Sequence, residues 1–219
     1  SAWILRRFRR LLLLYATERA RDAVVRSAPR TRQPPSRIVP LAVALDWNRR
    51  DWPAGDPATF LFLGALAPHK GLDLLLDAWD APGTLLVAGD GPLRPRAERP
   101  APGVRYLGRL DEAGKRDAFA RAGWLVFPSR HVETYGLVCA EALMAGRPVI
   151  AGSHAPPPMA AATSTLLYTG TDGLRAALHR AATMPAGEYA RMAGSAAADG
   201  RKLDWDDHVS AVIDAYESR

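Results

Sequence analysis

The string WLVFPSRHVETYGLVCAEALMAGRPVIAG, from Trp124 to Gly152, constrains the fold more than any other part of the chain. Its opening run WLVFPS is apolar almost without interruption, as in a strand buried on both faces. The tract 135–145 reads as a helix, and RPVIAG as the next buried strand. Strand, loop, helix and strand in that order make one unit of a doubly wound parallel sheet. In such sheets ligands bind beyond the carboxyl ends of the strands.

The same alternation runs through most of the chain. Residues 38–43 and 59–64 read as strands, with the turn-rich DWNRRDWPAGDP between them. A helix over 70–79, a strand over 84–89, a helix from Leu93, a strand over 104–107, a helix over 111–122 and a strand over 124–128 follow. After a last short strand at 166–168 the tail is helical. Strands alternating with helices at short spacing predict an α/β, Rossmann-like sheet covered on both faces. With 219 residues, 48% of them apolar, the chain can build the core that such a domain needs. The single cysteine, Cys139, excludes an internal disulfide and points to a reducing, cytoplasmic setting; it reads as a small core residue. No run of about 18 apolar residues is present to span a membrane.

The net charge of +6 is unevenly placed. Residues 1–50 carry twelve arginines against Glu18, Asp22 and Asp46, a local excess of +9, and the remainder carries −3. A mildly acidic domain argues against nucleic acid as a partner. The basic segment SAWILRRFRRLLLL mixes Trp3, Ile4, Phe8 and 11–14 with four arginines. It predicts a helix that either packs on protein or lies on an anionic membrane surface. The Pro-rich stretch PRTRQPPSR then reads as a linker.

Glu133 falls in the loop at the carboxyl end of the WLVFPS strand, and Gly136 where backbone must approach closely. The free N–H groups opening the helix, around Tyr135, Gly136, Leu137 and Val138, suit a phosphate. Glu141 follows just over a turn later. Two acceptor-only carboxylates flanking a phosphate cradle suit a ligand with hydroxyls at both ends and a diphosphate between, such as a nucleotide sugar. A second loop, Gly64-Ala65-Leu66 through Lys70-Gly71, sets a glycine after a strand and a lysine at a helix start, again fitted to phosphate. The turn GDGP, 89–92, reads as turn chemistry that lines a wall at most. Arg130 and His131 sit at the same strand end as Glu133 and are further candidates, for phosphate and for sugar or phosphate respectively. His154 reads as an exposed loop residue. No HExxH or paired CxxC occurs, and the one Asp-x-Asp, Asp204 with Asp206, reads as a helix cap, so no protein-bound metal or cofactor is expected.

Taken together, FLFLGALAPHKGLDLLLDAW, LLVAGDGPLRPRAE, VRYLGRLDEAGKRDAFARAGWLVFPS, the two-glutamate stretch and the tail WDDHVSAVIDAYESR resemble the C-terminal, donor-binding half of a GT-B glycosyltransferase, most similar to the retaining family 4. The resemblance runs from about residue 38 to 219. It implies retaining transfer of a sugar from a nucleotide-diphosphate donor, with Lys70 stabilising the leaving diphosphate and Glu133 holding the sugar. It assigns Glu141 to the ribose and the backbone of Leu107, Gly108, Arg109 and Leu110 to the base. It also implies an acceptor-binding N-terminal domain outside this chain, of which residues 1–37, with ARDAVVRSAPRTR as a last strand and turn, are a remnant. The start at Ser1 fits a truncated or processed chain of little activity by itself. Two departures stand out. Ala65 occupies the place where the family usually has a phosphate-binding arginine, so that Lys70 works with backbone N–H groups alone, Arg130 or another arginine substitutes, or donor binding is weak. SHAPPPMAAATST stands where the family has a glycine-rich turn with an acidic residue. These departures favour the alternative of a non-catalytic binding or assembly subunit, and the basic segment favours a peripheral membrane module.

Overall fold

The computed structural model describes residues 12–27, 34–43, 47, 51–99 and 101–217. Their elements in chain order are β1 (Leu13–Tyr15), α1 (Glu18–Ser27), β2 (Ser36–Ile38) and β3 (Asp56–Leu63), then a 3-10 turn (Pro68–Lys70) and α2 (Leu72–Ala78). There follow β4 (Thr84–Ala88), α3 (Arg94–Ala97), β5 (Val104–Gly108), α4 (Glu112–Arg121), β6 (Ala122–Phe127), α5 (Leu137–Met144) and β7 (Val149–Gly152). A short 3-10 turn (Ala162–Ser164) leads to β8 (Thr165–Tyr168), and the chain closes with α6 (Gly170–Ala182), α7 (Ala186–Arg201) and α8 (Trp205–Glu217).

Six strands form one sheet in the order β5-β4-β3-β6-β7-β8, every neighbouring pair parallel. The strand order reverses between β3 and β6, the topological switch point of a doubly wound sheet. Side chains alternate between the two faces, as a pleated strand requires. Phe60, Phe62, Leu85, Val87, Trp124, Val126 and Ile150 face one core layer with Leu72 and Leu75 of α2 and Leu174 and Leu178 of α6. Leu61, Leu86, Leu125, Val149 and Ala151 face the other, with Phe119 of α4 and Cys139 and Leu143 of α5. Each of these leucines loses essentially all its solvent contact, worth about 1.5–3 kcal/mol apiece. Two layers of this kind fix the strand ends, and with them the site.

The N-terminal part departs from the sequence reading. Leu13–Tyr15 is a strand, not the end of a helix, and it pairs in parallel with Ser36–Ile38 as a separate two-stranded sheet. Of the stretch 20–32, expected to be a strand and turn, residues 20–27 belong to the helix α1 and the rest lies outside the described residues. The expected strand over 38–43 shrinks to Ser36–Ile38, prolonged only by the bond from Val39 N–H to the Tyr15 carbonyl (2.8 Å). Residues 1–11 and 28–33, to which the basic helix and most of the linker were assigned, lie outside the described residues. Near the other end, Asp204 accepts from the Asp206 amide at 2.8 Å, as a helix-start carboxylate does. Among the described residues, no helix is long and apolar enough to cross a membrane.

Candidate functional site

The carboxyl ends of β3 and β6 lie side by side at the switch point and open into a cavity of about 400 Å³. Eight of the residues expected from sequence line it: Gly64, Ala65, Lys70, Glu133, Tyr135, Gly136, Leu137 and Val138. Their convergence follows from local chemistry. Gly71 takes the left-handed conformation (φ 74°), closing the 3-10 turn that carries Lys70 and capping α2. A Cβ at Gly71 would stand 2.0 Å from the Pro128 carbonyl oxygen, so only glycine lets the Lys70 loop press against the end of β6. The two loops are stitched further by Arg130 N–H to the His69 carbonyl, 2.9 Å. Lys70 Nζ then meets Glu133 Oε1 at 2.6 Å, with the side chains only 29% and 21% exposed.

Gly136 (φ 86°) turns the chain into α5. Cys139 is the first amide to reach back into the turn, donating to the Gly136 carbonyl at 2.9 Å. The amides of Leu137 and Val138 precede it at the cavity wall, in the position where helix N–H groups have no intrahelical acceptor. A donor array, an ammonium and a carboxylate therefore share one wall. Tyr135 closes another side: its hydroxyl donates to the Leu41 carbonyl, and burial pushes its pKa up to about 12. Burial likewise holds the Cys139 thiol far above its ordinary range, so it offers no thiolate.

Glu141 does not line this cavity. It lies one helical turn further along α5, where its Oε1 accepts from Lys115 Nζ of α4 at 2.9 Å. Burial raises its pKa, with Lys115 opposing the shift. Burial disfavours the Lys115 ammonium in turn, but its bonds to Glu112 and Glu141 outweigh that and leave its pKa raised. The same ammonium lies 5.8 Å from the centre of the Trp47 ring. Leu107 and Leu110 are partly buried against the core, Arg109 is exposed, and the Gly108 carbonyl accepts from Gly89 N–H at 2.8 Å. None of these four lines the cavity around Lys70 and Glu133.

Arg130 turns to Asp73 Oδ2, 2.8 Å, and His131 is exposed; neither lines the cavity. The His154 ring bonds the Ser129 carbonyl at 3.0 Å. The GDGP turn is a buttress instead of a wall. Its Asp90 carbonyl accepts from Leu66 N–H at 2.9 Å, and a Cβ at Gly89 would stand 1.8 Å from the Gly64 carbonyl. Sequence reasoning missed three features. Lys115 has no motif of its own, and only the packing of α4 on α5 shows its role. Leu41 and Thr134 line the cavity, and Thr17 Oγ1 donates to the Thr134 carbonyl at 2.8 Å. The segment before β3 thus braces the site wall. A larger groove of about 900 Å³ lies between β8, α6 and α7, with none of the expected residues in it.

The family profile described as glycosyl transferases group 1 matches residues 57–183, which hold both loops and both glutamates. The chain belongs to that family. Among curated relatives, the phosphatidyl-myo-inositol mannosyltransferase of Mycobacterium leprae is 39% identical over 105 residues, 42% of this chain and 28% of that protein. The D-rhamnosyltransferase WbpZ of Pseudomonas aeruginosa is 37% identical over 103 residues, 43% and 26% of the two chains. The chain therefore spans little more than a quarter of these relatives' length. The structure of HepE from Anabaena in complex with UDP and glucose superposes with a TM-score of 0.78 at 17% identity, covering all of this chain and 68% of that one. The fold of this member of the group 1 family is that of a GT-B C-terminal domain.

Proposed function

We propose that this chain is the donor-binding half of a retaining glycosyltransferase, holding a nucleotide-diphosphate sugar for transfer to an acceptor bound by a preceding domain. One observation carries the proposal: Lys70, Glu133 and the first amides of α5 meet in a single cavity at the switch point. The diphosphate lies against the α5 amides and takes Lys70 from Glu133. Glu133, released, accepts from the sugar hydroxyls and orients the anomeric carbon. In the transition state the departing oxygens gain charge that Lys70 and the amides stabilise, and the leaving group takes the acceptor proton on the same face. Glu141, paired with Lys115, accepts from the ribose hydroxyls. No residue is required as a general acid, and no metal enters the scheme. The domain division into residues 1–37 and 38–219 belongs to the same proposal, with the amendment that Thr17, from the first segment, supports the donor wall.

Relatives named as a mannosyltransferase and a rhamnosyltransferase, and a like-folded protein holding UDP and glucose, support a nucleotide sugar as ligand. The test is calorimetric titration of Glu141→Ala with the nucleoside diphosphate and with its phosphate-free nucleoside. Removing a buried acceptor from a hydroxyl costs about 1–3 kcal/mol, so both ligands should lose roughly ten- to hundredfold in affinity. Unchanged binding of both ligands by Glu141→Ala would refute the ribose assignment.

A further inference from the structure

We propose that His69 and His131 form an anion-binding subsite at the mouth of the cavity, which takes a phosphate group carried by the acceptor. Lys70 and Glu133 face the cavity as one ion pair across two loops. His69 precedes Lys70 and His131 lies two residues before Glu133, so the same loops carry a second pair of side chains outward. Their ring centroids stand 6.0 Å apart with the planes tilted by 46°. At ordinary hydrogen-bond lengths of about 2.8 Å, one oxygen atom can accept from both rings at that separation.

Both imidazoles are exposed, yet the backbone beneath them is fixed. Arg130 N–H donates to the His69 carbonyl at 2.9 Å. The buried Ser129 hydroxyl reaches the His131 carbonyl at 3.1 Å and the His69 carbonyl at 3.4 Å. Gly71 seals the contact by packing on Pro128. The backbone that carries the two rings is thus fixed before any ligand arrives, which leaves only side-chain rotamers to order on binding.

Charge selects the ligand. Without donor, Glu133 pairs with Lys70 and Asp73 Oδ2 with Arg130; with donor bound, Glu133 accepts from the sugar hydroxyls instead. Among the described residues neither His69 nor His131 has a hydrogen-bond partner for its ring. Two imidazoles whose ring N–H groups have no protein acceptor favour an anion, because charge-assisted bonds are roughly twice as strong as neutral ones and so compete with water. The acceptor role rests on the donor reading of the cavity: if the donor's diphosphate lies on the α5 amides, the mouth is left to the other reactant.

The test is a histidine-resolved NMR titration of the whole chain with glycerol 3-phosphate, with glycerol as the uncharged control. It is run with and without whichever of UDP, GDP and ADP binds best by calorimetry. The expected result is saturable movement of the His69 and His131 signals by glycerol 3-phosphate and not by glycerol, persisting when the nucleotide is saturating. His69→Ala and His131→Ala should each weaken that binding at least about fivefold, and His179→Ala, whose ring pairs with Asp80 on another face, should not. No movement, equal movement by glycerol, or displacement by the nucleotide would overturn the subsite, the last by showing that the anion sits in the diphosphate cradle. Absence of nucleotide binding in the separate calorimetric measurement would refute the donor reading, and the acceptor assignment with it.

Discussion

Lys70 Nζ and Glu133 Oε1 lie 2.6 Å apart, although 63 residues separate them in sequence. A diphosphate and Glu133 compete for the same ammonium, so the two truncations should act differently. Lys70→Ala is expected to weaken nucleoside diphosphate binding by roughly ten- to hundredfold, the loss of a charge-assisted contact. Glu133→Ala should leave that affinity unchanged or tighter, and should weaken only the sugar-bearing donor. Calorimetry with both ligands on both variants separates the effects; equal losses throughout would reduce the pair to a strut between loops.

The Lys115–Glu141 pair makes a prediction about pH. The folded pKa of Glu141 is raised, first by burial, and Lys115 opposes that shift. A raised carboxyl contributes to stability below its unfolded value, about 4.3, and loses that contribution as pH rises through the folded value. Removing the ammonium in Lys115→Met should push the folded value higher still. Variant and wild type should therefore differ least near pH 4. The gap should widen toward neutrality, to about 1–3 kcal/mol given that Glu141 keeps some solvent contact. Urea unfolding at a series of pH values checks this, and a gap that narrows with rising pH would contradict it.

Much of the fold was legible because the central strands declare themselves. In β6 every position is apolar and buried, the mark of a strand covered on both faces, β3 ends in the apolar run 60–63, and α5 follows β6 at the spacing of a crossover unit. The two-glutamate stretch pointed to the carboxyl end of β6, where the cavity opens, since its loop must fall at a strand's carboxyl end. The N-terminal segment was misread because its elements depend on partners. Three-residue strands such as β1 and β2 carry no periodicity and exist by pairing with each other. The helix α1 was expected to be a strand and turn through the family resemblance alone, not through any pattern in its residues. Lys70 was expected at a helix start, yet a 3-10 turn carries it because Gly71 in the left-handed region breaks the helix. The contacts Lys115–Glu141 and Tyr135–Leu41 join distant segments, and no local pattern encodes them.

Ala65 lines the cavity near Lys70 without contributing a charge. Ala65→Arg should tighten nucleoside diphosphate binding by several-fold, because a guanidinium adds two parallel donors to the phosphates. Phosphate-free nucleoside should bind as before. A gain for both ligands would place the new side chain elsewhere.

The two left-handed glycines that shape the loops should differ in their tolerance. Each pays about 1–2 kcal/mol for a side chain at positive φ. At Gly136 the nearest atoms to an added Cβ are side-chain atoms at 3.5 Å or more, whereas at Gly71 it would meet the Pro128 carbonyl oxygen at 2.0 Å. Gly71→Ala should therefore lower the melting temperature further than Gly136→Ala, as differential scanning calorimetry can show. The reverse order would mean that the loop contact at Pro128 is not fixed.

The central claim, that this cavity holds the diphosphate of a nucleotide sugar, is tested most directly by titrating UDP, GDP and ADP into the wild-type chain and into Lys70→Ala. The account predicts saturable binding of at least one of them, one ligand per chain, weakened roughly ten- to hundredfold by the substitution. Binding of none of the three, or binding of equal strength in the two proteins, would contradict it.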